Sequence, residues 1–404
     1  MAEVVLGVAG GIAAYKACSL LRLLKESGHG VTVVPTPNAL RFVGLDTWQA
    51  LSGRPVSTDV WTGSDVVPHV RLGRAADVVV VAPATADLLA RAAGGRADDL
   101  LTNVLLTTTS PVLMAPAMHT EMWQHPATRD NVAVLRRRGV VVMDPASGRL
   151  TGADTGPGRL PEPEELHEQV DALLGAPAAA ASAAAGDLAG RTVVVSAGGT
   201  RESLDPVRFL GNASSGRMGV ALARAAALRG AEVHLVGAHL DVPPPSSVTV
   251  HRVGSTAELA ERMTSLAAEA DVLVMAAAVA DYRPESSSEH KIKKSGDDGL
   301  ELRLHQTVDV LAGLSASRRP GQVVVGFAAE TVPDRAARLQ VGRDKLARKG
   351  CDLLVVNDVT AGAVFGSPVT EVAVLSRDGG VVEHSGSKAA VAHHVWDAVL
   401  TQLG

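Results

Sequence analysis

The sequence predicts an α/β protein built from two doubly wound, three-layer domains of Rossmann-like or flavodoxin-like type, joined by an Ala/Pro-rich linker. Three observations carry this prediction. Short Val-rich runs alternate with helical patterns through the first half, as in chained βαβ units. The rhythm breaks in an Ala/Ser/Pro/Gly stretch from Ala176 to Gly186, which has no apolar period and reads as a linker. A second βα rhythm then begins. The expected division is a first domain over 1–178, a linker over 179–186 and a second domain over 187–404.

Each element has its own warrant. Glu3–Val8, Val31–Val34, Asp77–Ala82, Pro111–Met114 and Val140–Met143 are continuous apolar runs, the pattern of strands buried on both faces of a parallel sheet. Ile12 to Ser27 has helical periodicity, stopped by Gly28 and Gly30. In the second half the expected strands are Thr192–Ser196, Glu232–Val236, Val248–Val253, Asp271–Met275, Val323–Phe327 and Asp352–Val356. Glu371–Leu375 and Gly380–Glu383, split by Asp378-Gly379, read as a terminal hairpin.

Composition excludes several classes. The 404 residues are 46% apolar and carry a net charge of −5, which argues against a dedicated nucleic-acid binder. No apolar run reaches the ~18 residues of a membrane span, and the N-terminus lacks a signal peptide's basic start, so the expectation is a cytoplasmic protein. Cys18 and Cys351 are the only cysteines, too few for a disulfide framework or a Cys-rich metal site. Arg is the default cation, yet five of the eight Lys fall between positions 291 and 349, where a compact, flexible charge is wanted.

Several segments suggest chemistry. Gly10-Gly11-Ile12 sits at the first strand-to-helix turn, where glycine lets backbone approach a phosphate and the helix N-terminus favours the anion. The spacing is not GxGxxG, and Val34 is followed by Pro35-Thr36-Pro37-Asn38 rather than an acidic residue. This speaks against NAD ribose recognition. Ala84-Thr85 ends the third strand with small residues and a hydroxyl, suited to a flat ligand. His69 precedes a helix leading into that strand and is a candidate base. In Ala115-Pro116-Ala117-Met118-His119-Thr120-Glu121-Met122-Trp123, apolar side chains cluster in a turn around His119, as in a pocket wall or a subunit contact. Asp98 is expected to cap a helix. In the second half, Val195–Glu202 and Asn212–Gly219 are two Gly-rich polar turns. Ala276-Ala277 and Asp281 follow a buried strand, Lys291-Ile292-Lys293-Lys294 comes soon after, and Lys345 and Lys349 lie one helical turn apart. Together these fit a nucleoside triphosphate.

At this point the chain resembles a known family over nearly its whole length. The motifs are Gly10–Lys16, His69, Ala82–Ala86, Pro116-Ala117-Met118-x-x-x-Met122-Trp123, Ala197–Arg208, Asn212-x-Ser214-Ser215-Gly216, Ala278–Asp281, Lys291–Lys294 and Gly326–Thr331. They resemble the bacterial bifunctional coenzyme A biosynthesis proteins, the CoaBC or Dfp family, in which a phosphopantothenoylcysteine decarboxylase is fused to a phosphopantothenate–cysteine ligase.

The resemblance implies FMN in the first domain, held by Gly10, Gly11, Ile12, Thr36, Ala84 and Thr85. It implies oxidation at the thiol-bearing carbon, loss of carbon dioxide and return of the hydride, with His69 as base. His119 stands where the family has the Asn that binds the substrate carboxylate. The flap cysteine that protonates the enethiolate is replaced by Gly152, which leaves Asp154 or His119 as candidate acids. In the second domain the resemblance implies CTP activation of 4′-phosphopantothenate through an acyl-cytidylate, then displacement of CMP by cysteine. Asn212 would steady the intermediate, and Lys291 would neutralise charge with Mg²⁺ assisting. Ala276, Ala277, Asp281, Lys291, Val308, Asp309, Val310, Leu311, Phe327, Lys345 and Lys349 would contact CTP, with Val308 replacing the family's proline.

The partners implied are small molecules, with no nucleic acid or membrane. A homo-oligomer with trimeric decarboxylase and dimeric ligase contacts is expected, up to a dodecamer. Two other readings stay open: an active ligase fused to a non-turnover flavin-binding domain, and an NAD-dependent reductase with two Rossmann-like domains.

Overall fold

The computed structural model describes residues 1–61, 67–149, 155–176, 178, 186–293, 300–359, 367 and 369–404. The chain folds as two compact units, Met1–Asp187 and Leu188–Gly404. Residues 179–185 of the expected linker lie outside the described residues.

The first unit holds a five-stranded sheet. Its strands are β1 (Glu3–Val8), β2 (Gly30–Pro35), β3 (Val78–Ala84), β4 (Val112–Pro116) and β5 (Val141–Val142), all parallel in the order β2-β1-β3-β4-β5. β1 is therefore an interior strand, with Val4 aligned to Val31 on one side and to Val78 on the other, and β3 is central. All seven residues of β3 are buried, as their unbroken apolar run requires. Odd-numbered Val5, Val79 and Val81 pack with the helices Ala86–Ala93, Leu100–Thr107 and Pro126–Arg137. On the other side the helices Ala14–Glu26 and Pro163–Gly175 pack together. The first helix starts at Ala14 rather than Ile12 and ends at Glu26, and the chain turns off it at Gly28, whose φ of +84° is costly for any other residue.

Asp99, not Asp98, caps the helix Leu100–Thr107. Its carboxylate accepts from Thr102 N–H at 2.8 Å while Thr102 Oγ1 accepts from Asp99 N–H. Asp98 instead binds Arg91 at 2.7 Å. The helix begins one residue later than the sequence pattern suggests, which moves the capping position onto Asp99. An antiparallel hairpin follows the sheet, β6 (Ala146–Arg149) with β7 (Thr155–Arg159).

The second unit starts with β8 (Thr192–Gly198), then the small hairpin β9 (Arg201–Ser203) and β10 (Phe209–Gly211). β11 (Glu232–Ala238), β12 (Thr249–Val253) and β13 (Val272–Met275) follow, then the pair β14 (Tyr282–Pro284) and β15 (Leu304–Gln306). β16 (Val323–Glu330), β17 (Leu353–Asp358), β18 (Val369–Ser376) and β19 (Val381–Ser387) complete it. The main sheet runs β12-β11-β8-β13-β16-β17-β18-β19, parallel through β17 and antiparallel for the last two strands, the expected terminal hairpin. Val193 and Val195 pack with the helices Arg217–Leu228 and Lys388–Leu403. Val194 between them faces the helices Thr256–Ala267, Val310–Ser317 and Arg335–Lys349. The period-2 alternation of a strand thus builds two cores, one on each face.

Both sheets reverse direction beside their first strand, between β1 and β3 and between β8 and β13. Such switch points open a crevice at the carboxyl ends of the strands, where doubly wound proteins bind ligands.

Candidate active sites

In the first unit, hydrogen bonds continue past the strand ends and gather the expected flavin residues. Thr36 N–H donates to Val8 C=O at 2.8 Å, Ala9 N–H to Pro83 C=O at 3.1 Å, and Ala117 N–H to Ala84 C=O at 3.1 Å. The turn Gly10–Ile12, Thr36, Ala84, Thr85 and the chain leading to His119 therefore meet at one edge. Gly10 is required there: a Cβ would lie 2.5 Å from Asn38 Cβ and 2.8 Å from the Asn38 carbonyl carbon. At Gly11 a Cβ would meet only Thr85 Cγ2, at 3.6 Å. Thr36 Oγ1 and Thr85 Oγ1 accept from Ala39 N–H and Leu88 N–H, each at 3.3 Å. Each hydroxyl keeps its proton to donate to a ligand. Ile12 is 67% exposed.

His69 lies in the first turn of the helix Pro68–Ala75, after Pro68 at the first helical position, rather than ahead of the helix. This helix packs closely on Leu100–Thr107. Thr107 Oγ1 donates to His69 C=O at 3.0 Å, and a Cβ on Gly73 would lie 2.5 Å from Thr107 Oγ1. His69 Nδ1 is buried and has no hydrogen-bond partner within the chain. Leaving such a group unmet costs about 1–3 kcal/mol, which a hydrogen bond to a ligand would relieve.

The cluster around His119 is only partly a turn: Ala117–His119 are irregular and a short helix follows. His119 is the residue before the helix Thr120–Gln124; Trp123 is buried and Met122 exposed. Trp123 belongs to the core, with the Arg129 guanidinium 5.1 Å from its ring centroid. Met118 N–H donates to Gly158 C=O at 3.0 Å, and Gly156 leaves no room for a Cβ beside Thr120 Oγ1. The β6–β7 hairpin is thereby bound against the His119 segment. Gly152 and Asp154, which fall between β6 and β7 in the sequence, lie outside the described residues.

In the second unit a cleft of about 930 Å³ opens at the switch point. Asn212, Ala276, Ala277, Asp281, Val308, Asp309, Val310, Leu311, Phe327, Lys345 and Lys349 all line it. Lys291 does not; it is exposed on an irregular segment tied to Asp205 and Arg208. Lys294 lies outside the described residues.

The cleft wall is held from behind. Ser196 Oγ accepts from Ala277 N–H at 3.1 Å, and Asn212 Nδ2 donates to Val279 C=O at 2.8 Å. Thr200 is fully buried, and its Oγ1 accepts from Ala280 N–H at 2.9 Å and lies 3.0 Å from Thr256 Oγ1. Thr256 Oγ1 and Thr307 Oγ1 donate to Ala280 C=O at 3.4 and 2.7 Å. The helix Arg217–Leu228 begins at the cleft after Gly216, at φ +77°, so its first N–H groups are available to an anion.

Both expected lysines are paired. Lys345 Nζ meets Glu330 at 3.2 Å and Lys349 meets Asp309. Burial pushes the Asp309 carboxyl up, but the Lys349 ammonium and the Ala312 N–H outweigh it and hold it below the usual carboxylate range. Sequence reasoning missed Lys388, which also lines the cleft. It is almost fully buried and donates to Ser367 C=O at 2.6 Å, and burial together with Arg217 pushes its ammonium below the usual lysine value. Only the return of the last helix to the sheet brings it here, and no local pattern announces that. Among the described residues no group of three His, Cys, Asp or Glu side chains could hold a metal by itself, and no helix is long and apolar enough to cross a membrane.

Fold and sites define a two-domain α/β enzyme with a topological switch point in each domain and a cleft at that of the second. The family model described as Flavoprotein matches residues 1–175, and that described as DNA/pantothenate metabolism flavoprotein C-terminal domain matches residues 188–403. The coenzyme A biosynthesis bifunctional protein CoaBC of Mycobacterium bovis is 54% identical over 99% of this chain and 97% of its own length. That of Bacillus subtilis is 41% identical over 93% and 91%. A crystal structure of the C-terminal domain of CoaBC aligns at 33% identity with a TM-score of 0.46, covering 54% of this chain and 98% of that one. The chain belongs to the CoaBC family of bifunctional coenzyme A biosynthesis proteins, and combines ligase and decarboxylase activities on small-molecule substrates. Membership sets aside the reductase reading, and the comparisons give no support to a non-turnover flavin-binding domain.

Proposed function

We propose that the first unit carries an FMN-dependent decarboxylation of phosphopantothenoylcysteine, and the second a CTP-dependent ligation of 4′-phosphopantothenate to cysteine. The observation that carries this is convergence: every residue assigned to CTP except Lys291 lines one cleft, and every residue assigned to FMN lies at the carboxyl ends of the neighbouring strands β2, β1 and β3.

In the first unit Gly10, Gly11, Ile12, Thr36, Ala84 and Thr85 would hold the flavin, and bound FMN would supply two-electron chemistry at the thiol-bearing carbon. The turn fits such a group: the space beside Gly11 is open, and two threonine hydroxyls keep donors. His69 accepts the substrate's proton. His119 donates a hydrogen bond to the substrate carboxylate, the part an asparagine plays in the family. With glycine at 152, Asp154 or His119 returns the final proton.

In the second unit a carboxylate oxygen of 4′-phosphopantothenate attacks the α-phosphorus of CTP and pyrophosphate leaves. Cysteine nitrogen then attacks the acyl carbon and CMP leaves. Asn212 steadies the acyl-cytidylate, and Lys345, Lys349 and the helix N-terminus at Arg217 offset the phosphate charge. Lys291 serves the transferring phosphoryl group. Mg²⁺ would be carried by the triphosphate, as where one or two carboxylates and substrate phosphates share the ion, and Asp281, which lines the cleft, would be a carboxylate to meet it. By resemblance to the family the protein is a homo-oligomer with trimeric contacts in the first unit and dimeric contacts in the second, working in the cytoplasm; the exposed apolar side chains Met122 and Val207 are available to such contacts.

The test omits cysteine. Protein mixed with CTP, Mg²⁺ and 4′-phosphopantothenate should release pyrophosphate in a burst matching the number of chains. Separately, it should release carbon dioxide from phosphopantothenoylcysteine without CTP. Absence of the burst overturns the ligase assignment; absence of carbon dioxide overturns the decarboxylase assignment.

A further inference from the structure

The segment Ala197–Arg208 is the longest motif of the second half, and the chemistry proposed above leaves its last residues without a task. Asp205 is 3% exposed, unusual for a carboxylate. Its two oxygens do different work. Oδ1 accepts from Val207 N–H at 2.8 Å and Arg208 N–H at 2.7 Å, closing a tight turn around Pro206. Oδ2 accepts from Ile292 N–H at 3.1 Å, across 87 residues of sequence. Arg208 Nη2 donates to Ile292 C=O at 3.0 Å. Ile292 is thus gripped at both of its backbone groups. A third bond, Ser288 N–H to Leu204 C=O at 2.9 Å, ties the same segment four residues earlier. Lys291 and Lys293 flank the gripped residue and are exposed.

We propose that Asp205 and Arg208 form a clamp on Ile292 and are positioning residues for the Lys291–Lys293 segment in the ligase reaction. The clamp holds the backbone while both lysine side chains stay free to swing. Charge-neutralising groups gain most when their reorganisation is completed before the reaction, and the segment's own bonds between Ser288 and His290 stop short of Ile292. Burial works to raise the Asp205 carboxyl, yet the three N–H donors and Arg208 hold it below the usual range. It therefore stays an acceptor throughout the neutral range. The proposal rests on the reading of Lys291 as the group that meets the transferring phosphoryl.

The two oxygens allow a separation of roles. In Asp205→Asn the amide oxygen can keep the turn's two donors, which places the NH₂ group against Ile292 N–H. In Asp205→Ala both functions go. The full chain carrying Asp205→Asn is compared with wild type by hydrogen exchange at the Ile292 amide, by trypsin cleavage after Lys291 and Lys293, and by steady-state pyrophosphate release. Expected are faster exchange and faster cleavage, kcat down by roughly tenfold to 100-fold, the scale of a small misplacement in an active site, and CTP KM unchanged. Exchange and cleavage at wild-type rates in Asp205→Asn, with only Asp205→Ala impaired, would overturn the clamp and leave Asp205 a turn former. A loosened segment with unchanged kcat would overturn the positioning role. Lys291→Ala in the same assay separates the premises: if it too leaves kcat unchanged, the reading of Lys291 has failed, whereas a collapsed kcat there places the failure in the clamp.

Discussion

Thr200→Val removes one oxygen and keeps the side-chain shape, so its cost can be worked from hydrogen bonds alone. Thr200 Oγ1, Thr256 Oγ1 and the two backbone groups of Ala280 form a closed set. In a consistent arrangement Ala280 N–H donates to Thr200, Thr200 to Thr256, and Thr256 to Ala280 C=O. Without the hydroxyl, Ala280 C=O keeps Thr256 and Thr307, and Thr256 keeps its own donation. Ala280 N–H has no replacement in a site from which water is excluded. One orphaned buried donor costs about 1–3 kcal/mol, and the isosteric valine adds no cavity. For a unit of this size about 2 kcal/mol corresponds to a fall in Tm of roughly 4–8 °C. Because Ala276–Asp281 forms a wall of the cleft, CTP KM should rise together with the loss of stability. Differential scanning calorimetry with and without CTP, alongside pyrophosphate kinetics, reads both. A melting point within about 1 °C of wild type with unchanged CTP KM would refute the assigned role of this network.

Other consequences are as direct. His69→Asn should lower carbon dioxide release by about 100-fold or more, the usual worth of a general base, while the pyrophosphate burst stays at its wild-type size; loss of both would show that the two sites are not independent. Asp309→Asn frees Lys349 and should lower CTP KM by roughly threefold, the scale of a half-exposed ion pair; a raised KM would mean that the pair shapes the cleft rather than competing with substrate. The folded-state pKa of Asp309 lies below its unfolded value, so the pair stabilises the fold above the unfolded pKa and is lost as pH falls through the lowered one. Acid unfolding of Asp309→Asn should accordingly be flatter in that window. Asp154→Asn should release an oxidised enethiol in place of the reduced product, seen by mass spectrometry; unchanged product would leave His119 as the acid.

The large strands were legible because continuous valine runs admit few other structures. β3, β8, β16 and β17 lie within a few residues of their expected limits. The short pairs β6–β7, β9–β10 and β14–β15 escaped notice. Segments such as Ala146–Arg149 and Thr155–Arg159 contain Gly, Pro and Arg and no apolar alternation, so their pairing is decided by neighbours rather than by propensity. Those pairs carry the supports of both sites: Gly158 under Met118, and the β9–β10 hairpin around the Asp205 turn. The cleft residues were legible through resemblance and through small residues at strand ends. Lys388 and the carboxylate partners of Lys345 and Lys349 were not, because each contact joins different elements, 15 to 40 residues apart, and no local pattern announces it.

One measurement engages both units together. Cysteine carrying heavy carbon in its carboxyl group, supplied with 4′-phosphopantothenate, CTP and Mg²⁺, should yield heavy carbon dioxide only after pyrophosphate appears, and none when CTP is withheld. Heavy carbon dioxide formed without CTP, or pyrophosphate and CMP that are never followed by it, would contradict two consecutive reactions on one chain.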